Sequence, residues 1–152
     1  MGTKSKYVFT IVIFLIGCKL YNEFSTPQKT LEVLTKASQE GNMRKFLNGI
    51  DLDYFRAMYS SGKLGNKQIE EKRFIEVIMT TPEMQEIIKR LMNLFKGTQF
   101  VVLYDKEIGE NAKELTLKCI SNYENRFSEE TAIFLFIKRK GQWKLNIEEI
   151  KN

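Results

Sequence analysis

The sequence predicts an α+β fold in which N-terminal helices pack on a four-stranded antiparallel sheet. Up to Lys96 the apolar residues recur every three or four positions, as they do on one face of a helix. From Thr98 onward they alternate with a period of two, and short polar stretches separate the apolar runs. Helices followed by consecutive strands are typical of an α+β domain with an antiparallel sheet.

The N-terminus has the features of a lipoprotein signal peptide. Lys4 and Lys6 precede an apolar run of about ten residues that ends at Ile16, which is too short to cross a bilayer. The next residues complete the tetrapeptide Leu-Ile-Gly-Cys, which resembles a bacterial lipobox. We therefore expect cleavage between Gly17 and Cys18 and lipidation of the Cys18 sulfur. A short uncleaved anchor remains the alternative.

These features divide the chain into three parts. Residues 1–17 are the expected signal peptide, residues 18–25 a lipidated tether, and residues 26–152 a single domain. The expected location is the cell envelope, with the domain facing the periplasm or the exterior. Lys19 follows the cysteine where Gram-negative lipoproteins retained in the inner membrane commonly have Asp, so this resemblance favours the outer membrane in a Gram-negative host.

The composition excludes several classes of chemistry. The chain of 152 residues has no His, which excludes Ser-His-Asp and Cys-His catalysis and His-ligated metal sites. If Cys18 is lipidated, Cys119 has no disulfide partner and is interpreted as a small buried apolar residue. The formal charge of +5 falls to +3 when Lys4 and Lys6 are removed, and the remaining cations are interspersed with Glu, unlike a nucleic-acid footprint. We expect no cofactor and no metal.

The helical part contains clear start and stop signals. Thr26-Pro27 predicts a helix start, Gly41 predicts its end, and Asn42 predicts the cap of a second helix. Ser60 to Asn66 reads as a loop and Asn66 as the start of a further helix. Thr81-Pro82 repeats the start signal for a helix that Gly97 ends.

Four strands are predicted in the second half of the chain, at Gln99 to Tyr104, Glu114 to Tyr123, Thr131 to Arg139 and Gln142 to Ile147. The third of them is apolar on both faces, whereas a layer of helices can cover only one. We therefore assign Phe134 and Phe136 to a candidate oligomer face, which a second subunit would cover. The alternative is a strongly curved sheet that buries both faces by itself.

The order of these elements resembles the nuclear-transport-factor-2-like (cystatin-like, SnoaL-like) superfamily. The resemblance rests on Thr26-Pro27, on the Gly41-Asn42 turn and on a final hairpin with the pattern Gly-x-Trp-Lys around Trp143. It extends over about residues 26 to 150 and is greatest for small bacterial lipoproteins of unknown function. The resemblance implies a curved, cone-shaped sheet with a cavity between helices and sheet.

Three roles follow as expectations. The first is a non-enzymatic envelope lipoprotein that binds a protein partner or a small apolar ligand, with a homodimer also open. The second is an enzyme of the ketosteroid-isomerase or dehydratase type, with acid–base groups at Asp51, Asp53 and Tyr54 or at Tyr104 and Asp105. The third is an immunity-type inhibitor or assembly factor that acts through the sheet face. The candidate pocket or core residues are Phe55, Tyr59, Phe74 and Trp143.

Overall fold

The computed structural model describes residues 23–60 and 70–151. Gly17 and Cys18, on which the anchor prediction rests, lie outside the described residues. Five helices precede the sheet in the described part: α1 (Pro27–Glu40), α2 (Met43–Asn48), α3 (Asp53–Ser60), α4 (Glu71–Thr80) and α5 (Pro82–Lys96). Four strands follow: β1 (Thr98–Gly109), β2 (Ala112–Tyr123), β3 (Arg126–Arg139) and β4 (Gln142–Lys151).

The predicted helix ends are largely confirmed. The Thr26 side chain accepts a hydrogen bond from the Lys29 amide at 3.1 Å, and Gly41 ends α1 with a φ of 67°. Asn42 caps α2 in the same way. Thr81 differs, because its hydroxyl donates to the Val77 carbonyl in the preceding helix and makes no cap bond.

The sheet is an antiparallel meander with the order β1-β2-β3-β4. Its strands are longer than the sequence predicts, because the polar stretches that we assigned to loops continue the strands. Residues 105–109, 112–113 and 126–130 are paired, and two-residue turns join the strands. Glu124 and Asn125 both have positive φ, as tight hairpin turns of this length require. These segments show no apolar alternation in the sequence, because most of their side chains are polar and face water on both sides of the sheet.

The core lies between the helices and the inner face of the sheet. Phe95 of α5 packs edge-on against Phe46 of α2, with ring centroids 5.4 Å apart. It also contacts Phe100 of β1 at 5.1 Å and Phe134 of β3 at 6.1 Å. This aromatic cluster joins both layers, and its rings occupy much of the space that a cone-shaped fold encloses.

None of the helices in the described ranges is both long enough and apolar enough to span a bilayer.

Candidate functional site

The predicted pocket residues lie in the packed core. Phe55, Phe74 and Trp143 have 0%, 1% and 6% of their surface exposed, so they contribute buried apolar area. Tyr59 belongs to α3, and its side chain lies outside the described part of the structure.

The oligomer face is placed differently from the sequence assignment. Phe134 and Phe136 point toward the helices and are 5% and 0% exposed within a single chain, so they leave no area for a second subunit. The helix layer covers this face, since Phe95 of α5 contacts Phe134, which aligns with the buried Leu115 of β2. The opposite face of β3 carries the half-buried side chains Ile133 and Leu135, and any contact through the sheet face would use those residues.

The space inside the cone is nearly filled. A small apolar crevice of about 160 Å³ remains between the C-terminal half of α5 and the inner face of the sheet. Its walls include Leu94, Phe100, Cys119 and Phe134. Cavities that hold typical organic ligands measure roughly 300 to 1,000 Å³, so the crevice suits only a very small apolar molecule.

The two edges of the sheet differ. The first part of the β4 edge, at Trp143 and Leu145, is covered by the segments around Phe24 and residues 49–51. The amides of Trp143 and Leu145 donate to the carbonyls of Phe24 and Gly49 at 2.9 and 2.8 Å, and the Asp51 amide donates to the Leu145 carbonyl at 2.8 Å. These bonds use up backbone groups that an edge strand would otherwise leave open.

The β1 edge is uncovered within the described ranges, since β1 pairs with β2 alone. Seven large apolar side chains in those ranges are exposed, and five of them lie on this strand: Val101, Val102, Leu103, Tyr104 and Ile108. Tyr104 is 70% exposed. An edge that combines open backbone groups with apolar side chains is a site for strand addition.

A groove accompanies the first half of this edge. It has a volume of about 760 Å³. One wall is the face of α1 that carries Leu31 and Thr35, and the other is the start of β1 from Gly97 to Phe100. Phe127, which is 67% exposed, closes the far end. We call these residues the α1/β1 groove.

The pairing of β1 divides the edge into two parts. Its register with β2 is regular from Thr98 to Val102 and then shifts, so that Leu103 has no direct partner. A second shift follows Glu107. Such bulges twist an edge and hinder regular addition of a further strand. The regular part is the part that borders the α1/β1 groove, which makes Thr98–Val102 the best-formed docking edge.

The candidate acid–base residues form ion pairs. The Arg139 guanidinium lies 3.3 Å from Asp51 and 2.9 Å from Asp53, next to the β3–β4 hairpin and outside the filled cone. Tyr104 is exposed, and Asp105 accepts a hydrogen bond from Gln28 at 2.8 Å. The Tyr54 side chain lies outside the described part. The structure thus places Arg139 next to Asp51 and Asp53, a contact that the sequence pattern had not indicated.

A cleft of about 540 Å³ lies beside this ion pair and is lined by charges of both signs. Lys144 is buried at its edge, where its ammonium donates to the Asn48 carbonyl and lies 4.0 Å from Glu71. Burial lowers the pKa of Lys144, and the nearby Glu71 and Asp51 oppose that shift. Within the described ranges no cluster of three or more Cys, Asp and Glu side chains is arranged to hold a metal ion.

The open edge is the feature that the sequence analysis missed. The signal was present, because the run from Phe100 to Tyr104 is apolar on both faces. An order of four consecutive strands also makes β1 an edge in a simple meander. The sequence could not show that the chain beside Phe24 and Asp51 would cover the other edge.

Comparisons with known proteins give the fold. No family model matches the chain, and the search of curated proteins finds no relative. The chain is similar to the solved structure of Rd1NTF2_05, an NTF2 protein with five substitutions, with 12% identity and a TM-score of 0.50. That similarity covers 82% of this chain and 95% of the other.

A second solved structure is an NTF-2 like protein of unknown function from Shewanella oneidensis MR-1. It is 10% identical, with a TM-score of 0.46, and the similarity covers 77% of this chain and 88% of that one. The helices-then-meander order and the curved sheet agree with the first of these similarities. The described residues of this chain therefore have the nuclear-transport-factor-2-like α+β fold.

Proposed function

We propose that the protein is a lipid-anchored, non-enzymatic envelope protein that binds an extended segment of a protein partner along the α1/β1 groove. The observation that carries the proposal is the contrast between the two sheet edges. One edge is hydrogen-bonded at Trp143 and Leu145 to the segments around Phe24 and residues 49–51. The other is uncovered by any of the described residues and is flanked by a groove.

The groove offers two kinds of contact to an extended chain. The backbone of residues 98–102 offers hydrogen-bonding groups that have no partner strand on the outer side among the residues the structure describes. Side chains of the added strand would alternate between the α1 wall, with Leu31 and Thr35, and the outer side of the sheet. Main-chain bonds would then supply affinity and the alternating pockets specificity.

A binding role agrees better with the interior than a catalytic role does. Aromatic rings fill the cone, and the remaining crevice of about 160 Å³ leaves little room for a substrate. Asp51 and Asp53 are both paired with Arg139, an arrangement that suits a structural salt bridge. These features support a non-enzymatic role.

The anchor part of the proposal rests on the sequence. The basic start, the short apolar run and the Leu-Ile-Gly-Cys tetrapeptide favour lipidation at Cys18. Labelling of growing cells with a palmitate analogue tests it. We expect label on the wild type and none on Cys18→Ala, which should also leave the membrane fraction. An unlabelled wild type would refute the anchor.

The groove is tested by a photocrosslinking amino acid placed at Gln99, which lines it. The matched control carries the same amino acid at Lys89, an exposed position on α5. We expect a discrete adduct from position 99 and none from position 89. The adduct should disappear with Val102→Glu, because an inward-facing charge on an edge strand opposes strand addition. Equal adducts at both positions, or none at position 99, would refute the groove.

The crevice supports a second candidate function, the binding of a small apolar molecule. Its walls are mainly apolar, and the small side chains of Cys119 and Ala132 line it beside Phe100. Substituting Ala132 by Leu should fill this space. If a small aromatic such as benzene raises the melting temperature of the wild type and not of Ala132→Leu, the crevice binds it.

A further inference from the structure

The N-terminal end of the described chain lies at one end of the sheet, beside the start of β4. The Phe24 carbonyl accepts the hydrogen bond from the Trp143 amide at 2.9 Å, and the Phe24 side chain is buried. Trp143 pairs with Lys138 across the β3–β4 hairpin. The chain that precedes Phe24 therefore starts beside this hairpin.

The distance from the proposed lipid to this end is limited. Only four residues lie between Cys18 and Glu23, and the five steps along the chain span at most about 18 Å even when fully extended. The α1/β1 groove lies at the other end of the strands. From Ser128, near the groove, to Lys138 the strand β3 runs ten residues, or roughly 33 Å.

The hairpin end presents cations. Lys138, Arg139 and Lys140 are consecutive and exposed at the hairpin. The Lys138 and Lys113 ammonium groups lie over the Trp143 ring, 5.7 and 5.5 Å from its centre, as cation–π contacts. Within the described residues, Lys138 and Lys140 have no carboxylate within 4.0 Å, so both ammonium groups are available to an external anion.

Several acids lie at the same end, and most are neutralised. Asp51 and Asp53 are paired with Arg139, and Glu107 lies 3.5 Å from Lys113. Glu110 lies in the turn between β1 and β2, next to the hairpin, because the Lys138 amide donates to the Asn111 carbonyl of that turn. Glu110 opposes binding of an anion at this end, as do Glu70 and Glu71, which line the cleft.

We propose that the domain rests on its own membrane through the β3–β4 hairpin, with Lys138 and Lys140 contacting phospholipid headgroups. The α1/β1 groove then opens at the end of the domain that points away from the bilayer, toward a partner in the adjacent compartment. This orientation rests on the lipid anchor of the proposed function. It adds to the proposed function a surface that binds lipid headgroups and the side of the domain, away from the bilayer, on which the α1/β1 groove opens.

The single tryptophan of the chain makes this orientation measurable. Full-length lipidated protein is reconstituted into vesicles of phosphatidylcholine with phosphatidylglycerol and a dansyl-labelled headgroup lipid, and energy transfer from Trp143 is recorded. A second protein carries Trp143→Phe and Phe127→Trp, which moves the donor to the groove end. We expect strong transfer from position 143 and weak transfer from position 127.

Charge variants at exposed side chains test the contact. Each lysine near an anionic surface contributes a factor of about five to binding, so Lys138→Glu with Lys140→Glu should lower the docked-to-undocked ratio at least about 30-fold. The matched control, Lys89→Glu with Lys96→Glu, has the same charge change at α5 and should behave as the wild type. Glu110→Lys should increase transfer, and high salt should decrease it.

The outcomes separate the two proposals. A protein without acyl mass refutes the anchor and with it the orientation. An acylated protein that shows equal transfer from positions 143 and 127, or no response to the hairpin substitutions, refutes the orientation and leaves the anchor and the groove standing.

Discussion

Phe134 provides the sharpest test of the structure, because the sequence alone placed it on a free face and the structure places it in the core. We consider Phe134→Ala. The ring is 5% exposed and lies 5.6 and 6.1 Å from the rings of Phe100 and Phe95. Removing it would leave a cavity that joins the adjacent apolar crevice.

The expected cost follows from this environment. Truncation of a buried Phe to Ala destabilises proteins by about 3 to 5 kcal/mol, which combines lost burial with the cavity left behind. Two aromatic neighbours favour the upper half of that range. At an m-value near 2 kcal/mol/M, a loss of about 4 kcal/mol shifts the urea midpoint by about 2 M. The melting temperature should fall by roughly 8 to 16 °C.

The assay is urea unfolding followed by the fluorescence of Trp143. The matched control is Leu135→Ala, since Leu135 is the next residue on β3 and points to the opposite face, where it is half-buried. We expect a cost below about 2 kcal/mol there. A smaller loss for Phe134→Ala than for Leu135→Ala would mean that the strand faces are inverted, and the fold described above would be wrong.

Three further predictions concern single contacts. Thr26→Ala should cost about 1 kcal/mol in thermal unfolding, because the Lys29 amide loses its cap, and Thr26→Ser should restore most of it. Burial lowers the pKa of Lys144 in the folded protein. Between that lowered pKa and the ordinary lysine value of 10.5, the unfolded chain binds more protons than the folded one, so the free energy of unfolding should rise with pH in that range. Lys144→Met should flatten that part of the stability profile, and an unchanged slope would contradict the assignment. Burial raises the pKa of the Cys119 thiol, so at pH 7.5 it should react with a maleimide more slowly than free cysteine does, and equal rates would contradict its half-buried position.

The helical half of the fold was predictable because its signals are local. A cap such as Thr26 acts on an amide three residues away, and Gly41 is required where the backbone adopts positive φ. The change of apolar period near Gly97 likewise separates helix from strand within a few residues. These interactions depend on neighbouring sequence and little on the rest of the chain.

The strand ends were less predictable, because whether a polar segment continues a strand depends on residues that are distant in the sequence. Glu129 and Glu130 read as a loop in the sequence, yet they continue β3 and pair with Ile120 and Cys119 of β2. Lys118 lies 2.7 Å from Glu129 across the strands, an arrangement that a solvent-facing sheet tolerates well. A polar run is therefore compatible with a strand wherever the sheet extends beyond the helix layer.

The sheet faces illustrate the same limit. Alternation shows that Phe134 and Ile133 point in opposite directions, but it does not show which direction meets the helices. The answer depends on Phe95 of α5, which contacts Phe134 and packs against Phe46 of α2. Tertiary packing thus decides which face of β3 meets the helices. For this reason the assignment of Phe134 and Phe136 to an oligomer face differs from the structure.

The filled interior and the open edge have a common origin in the position of the helices. Phe95 contacts Phe134 and holds α5 close to the inner strands, whereas a groove remains between α1 and the start of β1. Phe100 occupies both places, since its ring belongs to the aromatic cluster and also lines the groove. A strand that docks on this edge would therefore contact the same Phe100 ring that packs in the core. Partner binding should raise the melting temperature of the domain, and Phe100→Ala should weaken both the domain and the Gln99 crosslink. A Phe100→Ala protein that loses stability and keeps the crosslink would show that the edge binds independently of the core.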